Sequence, residues 1–490
     1  MSDRKKLPSI SDLPKKEYPV RVLQFGSGNF LRAFADWIIQ KANDRIGFNT
    51  GVAVVQSISK NTTLARQNGS FTVNIRGYKN SRTISIADKV DAIQRIVNGN
   101  ILADLEKEAA NPNLEIIISN TTETGITFDP SDTSASTISK TFPGKLTQVL
   151  FKRYRVYPEK NVAIIPCELI EKNGSVLKEC VIKYSRHWNL GLKFEDYIQN
   201  KIHFCHTLVD RIVTGTPENI SRLQNDLGYE DNAIVTCEPY YLWVIEASPW
   251  VQKAFPLDKA GLNVIYTNNL EPYRNRKVRI LNGMHTLMAP IGYLAGLQSV
   301  KDVMNHNTIG SFIKLVLKKE ILPFLPGDRK INNLYSQEVI RRFLNPAINH
   351  NLIDITLYSF SKFKVRLFPS LTSFEKHYGY PPTGIALSLA ALILLYRGIK
   401  DGEEIPLQDN PRLIEIMKTL WGKTQYTEVG LQQLVETVLK DKFIWNNEFA
   451  VSKKFSEKTA LYLYWIDQYG IIEALNKAQR EITDFSKVTS

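Results

Sequence analysis

Residues 20–44, VRVLQFGSGNFLRAFADWIIQKAND, decide the fold. An apolar run suited to a buried strand meets a glycine turn, and helical periodicity then starts through Phe30, Phe34, Trp37 and Ile38. Strand, GxG and helix stand in the order of a dinucleotide site. Gly26 makes the tight turn and Gly28 lets the backbone approach a pyrophosphate. The turn residue Ser27 and the first helical residues Asn29 and Phe30 aim free N–H groups at the phosphates. The third glycine of GxGxxG is replaced by Leu31, with the small Ala33 two places on. A glycine turn between any buried strand and helix reads the same way, so the match gains weight only from the later strands of the chain.

The next strand, GVAVVQSISK, ends in Gln56 and Ser57 where an Asp or Glu usually holds the adenosine ribose hydroxyls. NAD and NADP both stay open here, and Lys60 either meets a 2′-phosphate or lies on the surface. In LEIIISNTTETGITF a β-branched run stops at SNTTETG, which puts Asn120, Thr121, Thr122 and Glu123 at the carboxyl edge of a parallel sheet, where ligands gather. NVAIIPCELIEKNG repeats that design, and KIHFCHTLVDRIVTGTP and GLNVIYTNNLEP supply later segments for the same crevice.

A second decisive stretch is residues 271–297, EPYRNRKVRILNGMHTLMAPIGYLAGL, read as one helix opened by Pro272. At about 100° per residue, Lys277, His285 and Asn282 fall near 0°, 80° and 140°, within one arc shared with Leu281. A cation, an imidazole and an amide among apolar neighbours can move a proton and hold an oxygen that gains negative charge. Equally, each is commonplace on a helix taken singly. Lys277 and His285 lie roughly 12 Å apart along an ideal axis. Either Lys277 bends back or Gly283 marks an irregular turn. Beyond this helix the pattern turns to long helical segments, including IALSLAALILL at 385–395, a buried core helix too short to span a bilayer. Together these readings predict an α/β protein in two parts, a Rossmann-like dinucleotide-binding domain at 1–270 and a mainly α-helical substrate and catalytic domain at 271–490.

At 490 residues, 43% hydrophobic and 23% charged, the chain is ordinary for a soluble protein of two or three domains. No targeting segment is evident. The four cysteines, Cys167, Cys180, Cys205 and Cys237, form no CxxC pair, so the expectation is a cytoplasmic protein without disulfides. His203, Cys205 and His206 are close in sequence, but a zinc site needs three or four ligands in defined geometry and no partner motif such as HExxH appears, so no metal site is expected. The net charge of +13 is spread among acids with no basic block, which argues against nucleic acid and suits an anionic small substrate and cofactor.

Taken together, QFGSGNFLRAF, SNTTETGI, PCELIEKNG, FCHTLVDRIVTG and KVRILNGMHT resemble the mannitol dehydrogenase family of long-chain, metal-independent polyol and uronate dehydrogenases. The matching segments span from about residue 20 to beyond 400, and these five falling in the right order carry the resemblance. It implies NAD as cofactor, a general acid/base at Lys277, carbonyl polarisation by Asn282 and substrate orientation by His285. Val209, Asp210 and Lys362 match the family's substrate contacts. Three positions depart from the polyol pattern. Leu169 stands where a strand-end Asn holds the oxygen, leaving that task to another residue such as Asn173. Arg274 replaces an acid, and Asp354 an arginine. The departures favour an acidic sugar, with Arg274 as a candidate for its carboxylate. The expected activity is the NAD-linked interconversion of D-tagaturonate and D-altronate in hexuronate breakdown. In the oxidative direction Lys277 must be neutral part of the time, so its usual value of about 10.4 has to fall. Alternatives are a polyol or mannonate dehydrogenase of the same family, or a nucleotide-binding protein without turnover.

Overall fold

Apolar runs at Val20–Phe25, Gly51–Gln56, Ile93–Asn98, Ile116–Ser119, Val162–Pro166 and Ile202–Phe204 build one parallel sheet. This is a computed structural model, which describes residues 7–57, 63–79, 82–121, 125–217, 219–347, 350–446 and 449–489. Across the sheet the strands run Ile93–Asn98, Gly51–Gln56, Val20–Phe25, Ile116–Ser119, Val162–Pro166, Ile202–Phe204. Counted within the sheet, this is the order 3-2-1-4-5-6 of a doubly wound dinucleotide fold, and the winding reverses between Val20–Phe25 and Ile116–Ser119.

The strands are apolar on both sides because helices cover both faces. Leu23, Phe25, Val55, Ile117 and Ile164 pack against the helices Leu102–Ala109, Phe142–Val156 and Asn173–His187. Their sequence neighbours Val22, Val54, Ile116, Ile118 and Ile165 point the other way, toward Phe34 and Ile38. Two further sheets complete this part. One joins Val213–Gly215, Val235–Cys237 and the antiparallel pair Phe71–Lys79 and Arg82–Val90. The other joins Val264–Thr267, Leu242–Glu246 and His206–Asp210. The alternation of strands and helices in the sequence did not announce the antiparallel pair. Its strand RTISIADKV keeps only Val90 fully buried, so no apolar face is written into it.

The chain divides into two compact units, Met1–Leu270 and Glu271–Ser490. The second is helical and centres on Thr383–Leu395, every residue of which is buried, as expected for IALSLAALILL. Gly384 permits a close approach there, since a Cβ would fall 2.2 Å from Val316 Cγ2. Pro382 has no side-chain oxygen to cap this helix. Glu320 does so instead, accepting the N–H groups of Gly384 at 2.8 Å and Ile385 at 3.0 Å. Burial pushes its carboxyl up to about 7 against those bonds. Ser388 donates to the Leu287 carbonyl at 3.1 Å, tying the core helix to Gly283–Leu294. Among the described residues no helix is long and apolar enough to cross a membrane, and all four cysteines are buried thiols.

Candidate active site

In the first unit the glycine turn lies where the sheet winding reverses. Gly26 has φ +115°, a conformation that L side chains rarely adopt, and a Cβ there would lie 3.3 Å from the Asn120 carbonyl. Around Gly28 a Cβ would meet nothing within 4 Å. The helix that starts at Asn29 runs to Ile46 through a widened i→i+5 turn at Arg32–Asp36. A tight glycine, open space beside the next glycine, and a helix N-terminus behind them fit a pyrophosphate. Phe30 stacks on Phe34, with ring centroids 5.0 Å apart, and Asn29 accepts from Arg32 Nη2 at 2.6 Å. Beneath the turn, Gln24 Nε2 donates to the Gly26 carbonyl at 3.0 Å and to Asp36 Oδ2 at 3.1 Å. Burial raises the Asp36 carboxyl to about 7 in spite of that bond and of the Arg32 charge.

The corner expected to hold the adenosine ribose contains one group that sequence reasoning missed, Lys145. Gln56 Nε2 donates to Ser27 Oγ at 3.0 Å, and Ser57 Oγ accepts from the buried Lys145 Nζ at 2.9 Å. Lys145 lies on a helix 88 residues further on, so nothing near GVAVVQSISK announces it. Thr122, Glu123 and Lys60 lie outside the described residues. Their neighbour Thr121 donates through N–H and hydroxyl to the buried Glu168, at 2.9 and 3.1 Å. Asn120 Nδ2 donates to the Cys167 carbonyl at 2.7 Å. The two strand-end motifs read from the sequence are therefore bonded to each other, through the Glu168 carboxyl and the Cys167 carbonyl.

Asn173 is not available as a substitute oxyanion amide. It is 1% exposed, its Nδ2 donates to the Pro166 and Glu168 carbonyls and its Oδ1 accepts from the N–H groups of Gly174 and Thr207. It is a staple between strand ends. Leu169, 61% exposed, leaves the Asn position apolar and open. Val209 and Asp210 are both buried in His206–Asp210. The histidines near Cys205 diverge: His203 shares a hydrogen bond with Ser248, and His206 one with Ser175, each at 3.3 Å. No group of three or more His, Cys, Asp or Glu among the described residues could hold a metal ion.

In the second unit the helix of Lys277 is continuous but not uniform. Glu271–Arg276 and Gly283–Leu294 are α-helical, and Lys277–Asn282 between them is a widened turn of i→i+5 type. The azimuths expected for an ideal α-helix do not apply through it, because the wider turn absorbs an extra residue. The irregularity precedes Gly283, which is itself regular at φ −61°, ψ −45°; a Cβ there would meet Leu367 Cδ2 at 3.4 Å.

Lys277 is 8% exposed and His285 7%. Asn282 Oδ1 and His285 Nε2 are buried and have no hydrogen-bond partner among the described residues. Arg279, also buried, donates from Nε and Nη2 to Ser370 Oγ at 3.1 and 2.9 Å, and burial lowers it to about 10. Arg276 donates to Asn332 Oδ1 at 3.0 Å. His285 lies against the rings of Phe343 and His350, at 4.6 and 4.7 Å. Burial first, then the positive charges of His350, Arg366, Arg342 and Lys362, hold it well below the ordinary histidine value. Lys362 Nζ donates to the Ile355 carbonyl at 3.1 Å. Arg274 is half-buried in the first turn of the helix. Of the expected residues, Lys277, Asn282, His285, Arg274 and Lys362 belong to this unit, and Val209 and Asp210 to the other. Arg366 and His350 were not foreseen. Arg366 follows Lys362 by one helical turn in SKFKVRL, which was a usable signal; for His350 the sequence holds none.

Comparison with known proteins gives two family matches, the mannitol dehydrogenase Rossmann domain over residues 20–259 and the mannitol dehydrogenase C-terminal domain over residues 269–464. The altronate oxidoreductase of Bacillus subtilis is 39% identical over 472 residues, 94% of this chain and 95% of that protein. That of Yersinia enterocolitica is 36% identical over 476 residues, 95% and 98%. Among solved structures, the ternary complex of Pseudomonas fluorescens mannitol 2-dehydrogenase with NAD and D-mannitol aligns with a TM-score of 0.73 at 21% identity, covering 97% of this chain and 96% of that one. A substrate-free D-sorbitol dehydrogenase aligns at 0.77 and 18% identity, covering 96% and 97%. At such identities the two structures establish the fold.

Proposed function

The chain belongs to the mannitol dehydrogenase family, and on that basis we propose that it interconverts D-tagaturonate and D-altronate. It is an NAD-dependent oxidoreductase acting on CH–OH groups of polyols or uronates. The observation that carries the finer reading is the 35–39% identity to altronate oxidoreductases over about 95% of the chain. The residues fit it. NAD, when bound, supplies the nicotinamide that gives and takes back the hydride. Gly26, Ser27, Gly28, Asn29 and Phe30 would hold its pyrophosphate, and Ser57 with Lys145 would face its adenosine ribose.

In the reductive direction Lys277 gives a proton to the ketone oxygen as that oxygen gains negative charge, and Asn282 holds the same oxygen through its amide. In the oxidative direction neutral Lys277 takes the hydroxyl proton. His285, kept neutral by burial and positive neighbours, orients the sugar through a nitrogen with no partner of its own among the described residues. No metal is needed in this scheme, since a proton donor and an amide do the work of a Lewis acid. Arg274 and Lys362 add positive charge suited to an acid substrate. Purified protein mixed with NADH and D-tagaturonate should consume NADH, read as falling absorbance of the reduced nicotinamide. Consumption with neutral ketoses alone would replace this reading by a polyol dehydrogenase, and none with any sugar by a nucleotide-binding protein.

A further inference from the structure

Residues 211–215, RIVTG, follow the expected substrate contacts Val209 and Asp210 and have no part in the chemistry above. They fold against the helix that starts at Asn29. Arg211 is buried, and its guanidinium carbon lies 4.4 Å from the ring centre of Trp37. Its Nη1 donates to the Ala33 carbonyl at 2.6 Å, inside the widened turn Arg32–Asp36, and its Nε donates to the Glu238 carbonyl at 3.0 Å. A charged donor thus ties the turn to chain outside the helix. At the far end of the segment Gly215 has φ +88°, and a Cβ there would lie 2.8 Å from Asn29 Nδ2. The other side of the Asn29 amide is held by Arg32, whose Nη2 donates to Asn29 Oδ1 at 2.6 Å and whose Nη1 donates to the Ala233 carbonyl.

A widened turn carries one residue more than a regular one, so its return to α geometry would rotate the helical turn before it by about 100°. That preceding turn, Asn29–Leu31, is the one whose free N–H groups face the pyrophosphate in the reading above. A helix N-terminus holds a phosphate only while those groups point at it. We propose that Arg211 and Gly215 position the phosphate-binding end of the helix, Arg211 through Ala33 and Gly215 through Asn29, and so set cofactor affinity as positioning residues. The proposal rests on the pyrophosphate reading of the glycine turn and adds to it a brace that reaches Ala33 across 178 residues.

The test is NADH affinity by fluorescence titration, with Tm and steady-state kinetics, for Arg211→Met, Arg211→Lys and Gly215→Ala, beside Gly28→Val as the control for the pyrophosphate reading. Removing the charged donor should raise the Kd for NADH roughly tenfold in Arg211→Met, and by about 3-fold in Arg211→Lys, which keeps a donor without the fork. In both, kcat at saturating NADH and KM for the sugar should stay within about 3-fold of wild type, since the loss is confined to cofactor binding. Gly215→Ala should raise the Kd roughly 3- to 10-fold by pressing on the Asn29 amide, and most of that loss should vanish in an Asn29→Ala background, where the group pressed upon is gone. Should Arg211→Met fail to fold, Arg211→Lys and the Gly215 cycle carry the test. NADH affinity within about 2-fold of wild type in folded Arg211→Lys and Gly215→Ala, or a Gly215→Ala loss that is the same with and without Asn29, would overturn the inference while Gly28→Val still weakens NADH. Equal losses in kcat, sugar KM and NADH affinity would overturn it too, leaving Arg211 a support of the fold alone. Unchanged NADH affinity in a folded Gly28→Val would overturn the pyrophosphate reading and the inference with it.

Discussion

In the turn Arg32–Asp36 a buried guanidinium and a buried carboxyl lie four residues apart, so either charge is offset by its neighbour or removed with a proton. In the turn Lys277–Asn282 the buried side chains include Lys277 and Arg279, and burial with basic neighbours holds nearby His285 well below the ordinary histidine value. Both are widened turns in long helices, yet their buried side chains differ in charge. The first lies within the helix behind a glycine turn that offers backbone N–H groups, so its side chains need only brace the loop. The second carries buried basic side chains, and close to it Asn282 Oδ1 and His285 Nε2 have no hydrogen-bond partner among the described residues.

If the second turn performs chemistry and the first only binds, Lys277→Ala should lower turnover roughly 10²- to 10⁴-fold while NADH affinity, measured by fluorescence titration, changes by less than about 3-fold. Near-normal turnover would remove Lys277 from the mechanism and the contrast with it.

The converse variant is Gly28→Val. The position has open space around it, so the fold should survive with Tm within about 2 °C of wild type. A branched side chain would take the room the pyrophosphate needs and weaken NADH binding roughly tenfold or more. Unchanged NADH affinity in a folded Gly28→Val would make the turn structural only.

The smallest effect, and the one that separates the two turns most directly, is in the pH dependence of stability. His285 stays neutral in the fold while the unfolded chain takes up a proton as pH drops through about 6.5, so stability present above that pH is lost below it. The Asp36 carboxyl runs the other way. It keeps its proton in the fold up to about 7, whereas the unfolded chain loses it near 3.8, so stability falls as pH rises between those values. Relative to wild type, His285→Asn should therefore gain as the medium is acidified below about 6.5, and Asp36→Asn should gain as pH rises toward about 7. Thermal melts from about pH 5 to 8 read both slopes, and slopes of the same sign would show that the two turns do not differ in this respect.

The class of fold was legible in the amino-acid order alone, because a Rossmann half is written in local terms: apolar runs long enough for buried strands, glycines where φ turns positive, and periodic helices between them. The same local grammar marked Thr383–Leu395 as core and picked out Lys277, Asn282 and His285 as residues with chemistry to offer. Where bonds and charges meet over long separations was settled by the packed chain instead. Lys145 reaches Ser57 across 88 residues, Glu168 reaches Thr121 across 47, and Arg366 reaches Thr286 across 80. The widened turn at Lys277–Asn282 belongs to the same class of fact. A hydrophobic period tells a helix from a strand but cannot register one extra residue in a turn, since the packing on all sides of the helix, and not its own propensity, selects the i→i+5 bond.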